Sequence, residues 1–169
     1  MIGKDFGFGG VLGRPEIIVR TALLEDAAMI ATIHGEAFAR GWSDGEIEAL
    51  MRQDNVAALA AEYRNAFGHR SAAGFVLFRT AADEAEILTV AVNQASRRRG
   101  VGRALMDEAI RRLYTERIGS LFLEVDSGNA AAIALYEGLD FVPVGERSGY
   151  YAQDNTAARG ALVMRRDIR

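Results

Sequence analysis

Arg97-Arg98-Arg99-Gly100-Val101-Gly102-Arg103-Ala104 stands between two unlike periodicities, and the reading of the chain turns on it. Upstream, Glu86 to Val92 is rich in β-branched and aliphatic residues and reads as a strand. Downstream, from Gly100 to about Arg117, Leu105, Met106, Ala109, Ile110 and Leu113 cover an arc of about 140° on a 3.6-residue wheel, as in a helix packed on a core. Two glycines at the junction let the backbone turn tightly and bring bare N–H groups close to a ligand. The helix start adds its own unpaired N–H groups and the positive end of its dipole. Together these make an anion site, for which a pyrophosphate is the natural guest. Charge agrees: residues 97–117 hold seven arginines against Asp107, Glu108 and Glu116, in a chain whose net charge is −3. The plainer alternative is a solvated basic helix start, and the glycines alone leave it open.

Outward from this junction the pattern alternates. Ile17-Ile18-Val19 opens a first strand that ends near Thr21. Asp26 is placed to cap a helix with Met29, Ile30, Ile33 and Ala37 on one face. Ser43 and Glu46 form a capping box for a second helix, with Trp42 placed to staple onto Ile47. Val56 to Tyr63 and Gly74 to Arg79 read as paired strands joined by a polar loop, Arg64 to Ala72. Beyond the basic helix, Leu121 to Val125 reads as a short buried strand and Asn129 to Glu137 as an alanine-rich helix. Phe141 to Val144 and Ala161 to Met164 complete the strands. The order β-α-α-β-β-β-α-β-α-β-β predicts an α/β chain with a mixed sheet and helices on both faces.

At 169 residues the chain is expected to form one domain, residues 15–169, preceded by a flexible glycine-rich arm, residues 1–14. With 20 basic and 23 acidic side chains there is no general pull toward nucleic acid. No apolar run approaches the roughly 18 residues that span a bilayer, and the arm lacks the apolar stretch of a signal peptide, so a cytoplasmic protein without a membrane partner is expected. The absence of cysteine excludes disulfides, thiolate-bound zinc and a cysteine nucleophile. Two histidines, His34 and His69, are too few for a three-histidine metal site, and no metal is expected. Lys4 is the sole lysine, which argues against a Walker-type phosphate loop.

One carboxylate and one phenol are candidates to carry chemistry. Glu124 lies within the apolar run Leu121-Phe122-Leu123-Glu124-Val125, where desolvation would raise its pKa and make it a base near neutrality. The alternative is an edge or partner-paired glutamate. Tyr136 follows Asn129 by seven residues, two helical turns, so both lie on one helix face. Taken alone, Tyr136 reads as a packed aromatic and Asn129 as an N-cap. Gly41-Trp42-Ser43-Asp44-Gly45 fits the Gly-x-Ser-x-Gly pattern, but the tail of a helix precedes it where a nucleophile elbow needs a strand. His34 sits at the edge of an apolar face and reads as a packing residue.

The stretch Arg97 to Gly102 matches the Arg/Gln-x-x-Gly-x-Gly/Ala signature of the GNAT N-acetyltransferases, and the chain resembles that family. Phe122-Leu123-Glu124-Val125, the run Asn129-Ala130-Ala131-Ala132-Ile133-Ala134-Leu135-Tyr136-Glu137, Arg147-Ser148-Gly149-Tyr150-Tyr151 and Trp42-Ser43 are similar to its RimI-type ribosomal-protein alanine N-acetyltransferases. The dense match covers residues 84–151. The resemblance implies the GNAT fold, a mixed sheet of about seven strands flanked by about four helices, and acetyl-CoA as donor. It implies that Val90, Ala91 and Val92 bind the pantetheine arm, and that Arg97, Arg98, Arg99, Gly100, Val101, Gly102 and Arg103 hold the pyrophosphate. It implies that Asn129 contacts the cofactor, Glu124 takes a proton from the acceptor amine and Tyr136 protonates the departing thiolate. The implied acceptor is a protein N-terminal peptide, specifically the N-terminal alanine of a small-subunit ribosomal protein. A small-molecule amine and a non-catalytic acyl-CoA sensor are the alternatives. The chain departs from the pattern at Asp140, where the group has glycine, at Gly160, where it has an acidic residue, and in its extension over residues 1–14.

Overall fold

The computed structural model describes residues 15–147 and 160–169. Among the described residues, seven strands form one sheet: β1 Glu16–Thr21, β2 Val56–Arg64, β3 Arg70–Ala81, β4 Glu84–Val92, β5 Ser120–Asp126, β6 Val142–Arg147 and β7 Ala161–Asp167, in the spatial order β1-β2-β3-β4-β5-β7-β6. β1 to β4 run as an antiparallel meander. β4 and β5 are parallel and pair only over Glu84–Glu86 with Ser120–Phe122. β5, β7 and β6 then pair antiparallel.

Four α-helices among the described residues cover the sheet: α1 Ala27–Ala37, α2 Asp44–Met51, α3 Val101–Thr115 and α4 Ala130–Glu137. Period-2 alternation divides the strands between two cores. Ala58 and Ala60 of β2, with Phe75 and Leu77 of β3, face Ile30, Ile33 and Ile47 of α1 and α2. Leu59 of β2, with Val76 and Phe78 of β3, faces Leu105, Met106 and Leu113 of α3. The last three are fully buried, and each such side chain contributes roughly 1.5–3 kcal/mol relative to exposure. α3 can lie close because β3 carries Gly74 beneath it. A Cβ there would stand 2.7 Å from the Ala91 carbonyl oxygen and 3.2 Å from Val101 and Leu105.

Three local expectations change. Asp26 does not cap α1. A 3-10 turn, Leu24–Asp26, precedes the helix, so Asp26 is already helical (φ −79°, ψ −8°). Its carboxylate instead accepts the Leu23 N–H at 2.7 Å and grips Arg20 at 2.7 and 2.8 Å, and this guanidinium holds its pKa down. The expected loop from Arg64 to Ala72 shrinks to residues 65–69, because Asn65 closes the turn by accepting N–H groups from Phe67 and His69. β7 also runs three residues beyond Met164, paired with the start of β5. The Ser43–Glu46 capping box is present, with Glu46 N–H donating to Ser43 Oγ at 3.2 Å and Ser43 N–H to Glu46 at 2.8 Å. The glycine-rich arm and residues 148–151 of the Arg-Ser-Gly-Tyr-Tyr run lie outside the described residues.

Candidate active site

The short β4–β5 ladder decides where a ligand fits. After Glu86 and Phe122 the two parallel strands separate, leaving the β5-facing edge of β4 unpaired from Ile87 to Val92. A register shift adds to the opening: Leu77 pairs with Thr89 and Phe78 with Ile87, so Leu88 is a bulge. Two cavities meet at this wedge. The smaller, of about 640 Å³, is lined by Thr89, Val90, Ala91, Val92, Arg97, Asn129 and Tyr136, with His34 and Phe38 from the α1 side. The larger, of about 860 Å³, is lined by Arg79, Glu84, Glu86, Phe122, Arg147 and Val163. Trp42, Ile87, Leu88, Leu123 and Glu124 line both.

The basic loop closes the end of the smaller cavity. Gly100 is the N-cap of α3 in the left-handed region (φ 87°), a conformation only glycine takes freely, and Arg98 is left-handed too (φ 60°). Arg97 lines the cavity, and its Nε reaches the Val92 carbonyl at 3.5 Å. Arg98 is exposed. Arg99 instead lies over the Tyr63 ring, 4.7 Å from its centroid. Arg103 donates to the Gly138 carbonyl at 3.3 Å and pairs with Asp107. Val101 is buried in the α3-side core. Gly102 faces protein, with Leu135 of α4 3.3 Å from where its Cβ would stand, so the helix start packs closely on α4.

α4 brings its two predicted residues to the cavity together. Asn129 caps the helix, accepting the Ala132 N–H at 3.1 Å. Tyr136, 7% exposed, packs edge-on against Phe141, and burial pushes its phenol up to about 12. It therefore keeps its proton at neutral pH.

Glu124 corrects an expectation. It points away from the core, its side chain is 45% exposed, and Arg147 Nε stands 3.0 Å from Oε1. Strand alternation is the reason: Leu123 and Val125 take the buried face and Glu124 the open one. The partner-paired alternative describes its surroundings.

His34 is buried as expected, stacked on Trp42 (4.6 Å, 15°), with Nδ1 accepting the Trp42 N–H at 3.1 Å. Burial lowers its pKa, so the neutral ring carries its proton on Nε2. Sequence reasoning assigned no role to Thr89 or to Arg147. Thr89 was visible as the lone hydroxyl in the apolar run from Ile87 to Val92. Arg147 becomes meaningful only when β6 and β7 bring it beside β5.

The model of the acetyltransferase (GNAT) family matches residues 27–141, and the chain belongs to that family. It is 43% identical over 79 residues to the ribosomal protein bS18-alanine N-acetyltransferase of Salmonella typhimurium, a match covering 47% of this chain and 53% of that one. It is 37% identical over 116 residues to the N-alpha-acetyltransferase RimI of Mycobacterium tuberculosis, covering 64% and 70%. The chain thus spans about half the length of the first of these curated relatives and more of the second. The crystal structure of the ribosomal-protein-S18-alanine N-acetyltransferase from Escherichia coli superposes with a TM-score of 0.78 at 27% identity, covering 90% of this chain and 94% of that one.

Proposed function

We propose that residues 15–169 act as one acetyl-CoA-dependent N-acetyltransferase domain. Its acceptor is the α-amine of a protein N-terminus, of the ribosomal-protein alanine type. The observation that carries this reading is the convergence of Tyr136, Asn129 and Glu124 on the wedge beside the unpaired edge of β4. The relatives' names, which describe alanine and N-alpha acetylation, support the acceptor.

The residues fit the donor. Acetyl-CoA supplies an activated acyl thioester. The free edge at Val90, Ala91 and Val92 offers backbone N–H and C=O groups to an extended arm. Arg97, Arg98 and the backbone of Gly100, Val101 and Gly102 at the start of α3 suit a pyrophosphate. Arg99 and Arg103 add positive field from their own partners rather than aimed hydrogen bonds.

Chemistry then belongs to two side chains. Tyr136 holds its proton through the neutral range and donates it to the leaving sulfur. Glu124 takes a proton from the amine, directly or through water, while Arg147 steadies its carboxylate. A free α-amine titrates at about 7.7–8.0 against about 10.4 for lysine, so an N-terminal acceptor makes the smaller demand on a solvated carboxylate. Such an acceptor places the reaction in the cytoplasm.

Mass spectrometry tests the reading. Peptides beginning with alanine are incubated with the protein and acetyl-CoA, alongside N-blocked peptides containing lysine and a polyamine. Acetylation of the free α-amine is expected. Acetylation confined to lysine or to the polyamine would overturn the acceptor, and no transfer with intact cofactor binding would leave a sensor.

A further inference from the structure

Leu162 and Met164 of β7 and Ile168 just beyond it pack in the core on the α3 side, and Arg166 stands in the same row. Its cross-strand partner, Leu121, is fully buried in that core. An apolar residue would continue the row without a desolvation cost, and replacing a buried charge by a well-packed apolar side chain is often neutral or stabilising. Arg166 instead has its Nε fully buried with no hydrogen-bond partner among the described residues. Its guanidinium reaches the end of α4. Nη1 donates to the Leu139 carbonyl oxygen and stands 3.8 Å from the Asp140 carboxylate. Leu139 N–H donates to the Tyr136 carbonyl oxygen at 3.0 Å, and Phe141 N–H reaches the same oxygen at 3.0 Å. Leu139 is thus held at both of its backbone polar groups, by Tyr136 and by Arg166. The Phe141 ring meets the Tyr136 ring edge-on. The neighbouring Gly138 carbonyl oxygen takes Arg103 of α3, an exposed side chain, at 3.3 Å.

We propose that Arg166 is a positioning residue for the acyl transfer, fixing the C-terminal end of α4 so that the Tyr136 hydroxyl stands at the departing sulfur. The proposal rests on the reading of Tyr136 as the proton donor. α4 has eight residues, and Tyr136 is its last but one. A helix this short has little stability of its own, so its direction is set by what holds its ends. Asn129 caps the start, and the Arg166–Leu139 bond holds the other end. Arg166 lines neither cavity, so it acts through the backbone of Leu139 and Tyr136 rather than on a bound group. Proton transfer requires the hydroxyl within hydrogen-bond reach of the sulfur, and a misplacement of about 1 Å can lower a rate about 10²-fold. The sulfur takes the Tyr136 proton, and Arg166 keeps its own throughout.

Arg166→Met keeps an apolar stem in the core and removes the guanidinium. With acetyl-CoA and an alanine-terminated peptide, it is expected to lower kcat at least about fivefold, with the calorimetric affinity for CoA within about twofold. Arg166→Lys, which keeps a donor, is expected to fall between wild type and Arg166→Met. The deciding comparison is a double-mutant cycle with Tyr136→Phe. In that background there is no proton to place, so Arg166→Met is expected to change the residual kcat by less than about twofold. An equal loss in both backgrounds is what a merely structural role predicts, and it would overturn the proposal, as would an unchanged kcat in the wild-type background. Arg166→Lys enters the same cycle under the same criterion if the methionine variant does not fold. Tyr136→Phe turning over at the wild-type rate would instead overturn the reading of Tyr136 as the proton donor, and this proposal with it.

Discussion

The two cavities at the β4–β5 wedge are built from different materials. The smaller is made of backbone: a free strand edge, a bulge, a left-handed glycine and the first turn of α3, held by fully buried side chains on both faces of the sheet. The larger carries two ion pairs among its apolar walls, Arg79 on Glu86 at 2.7 Å and Arg147 on Glu124 at 3.0 Å, all four residues well exposed. Exposed ion pairs contribute about 0–1 kcal/mol each, so the residues of this cavity can change at little cost to the fold. Close backbone packing cannot. Under the proposed reading, the donor end rests on backbone geometry and the acceptor end on replaceable charge.

The largest effect should come from Tyr136, the phenol lining the smaller cavity. Tyr136→Phe keeps the ring against Phe141 and removes the proton, and kcat should fall about 10²-fold with acetyl-CoA affinity within a few-fold. Because burial raises this pKa to about 12, the wild-type rate should show no decline from loss of the Tyr136 proton between about pH 7 and 10. Steady-state kinetics across that range, with calorimetry of both proteins, checks both statements.

Gly74→Ala attacks the rigid end from beneath. Its Cβ meets the Ala91 carbonyl oxygen at 2.7 Å, where neither strand can yield cheaply. A loss of about 1–3 kcal/mol is expected by denaturant unfolding, together with weaker CoA binding as α3 shifts. Gly102→Asp presses a carboxylate against Leu135 of α4 beside the helix start and should weaken CoA at least about tenfold, or 1.4 kcal/mol, in a folded variant. Unchanged calorimetric affinity would remove this loop from the site. The smallest effect belongs to the replaceable end. Arg147→Gln should leave stability within about 0.5 kcal/mol and CoA affinity within about twofold, and a larger stability loss would make the Glu124–Arg147 pair structural.

What could be read in the sequence follows the same division. α3, its glycines and the flanking strand announce themselves because hydrophobic period and turn chemistry are local properties. The Ser43–Glu46 capping box is equally local, and it is present. Asp26 misleads because a 3-10 turn lengthens the helix entrance past it, and Arg20, six residues upstream, holds its carboxylate. Glu124 misleads for a related reason. A carboxylate in an apolar run shows its face only when the strand's neighbours are known, and Arg147 arrives through the β6–β7–β5 pairing. Asp140 departs from the family's glycine yet keeps the backbone that glycine would serve, at φ 62°, a region aspartate tolerates better than most residues. Gly160 has its own local explanation, since a Cβ there would stand 3.1 Å from the Arg147 carbonyl oxygen.

The central claim is that the unpaired edge of β4 and the start of α3 form the donor site. A crystal structure with CoA tests it most directly. The account predicts the pyrophosphate on the N–H groups at the start of α3 beside Arg97, and the pantetheine arm hydrogen-bonded along Val90–Val92 with its sulfur near Tyr136. CoA lying outside the wedge, with β4 and β5 unfilled between Val90 and Tyr136, would contradict it.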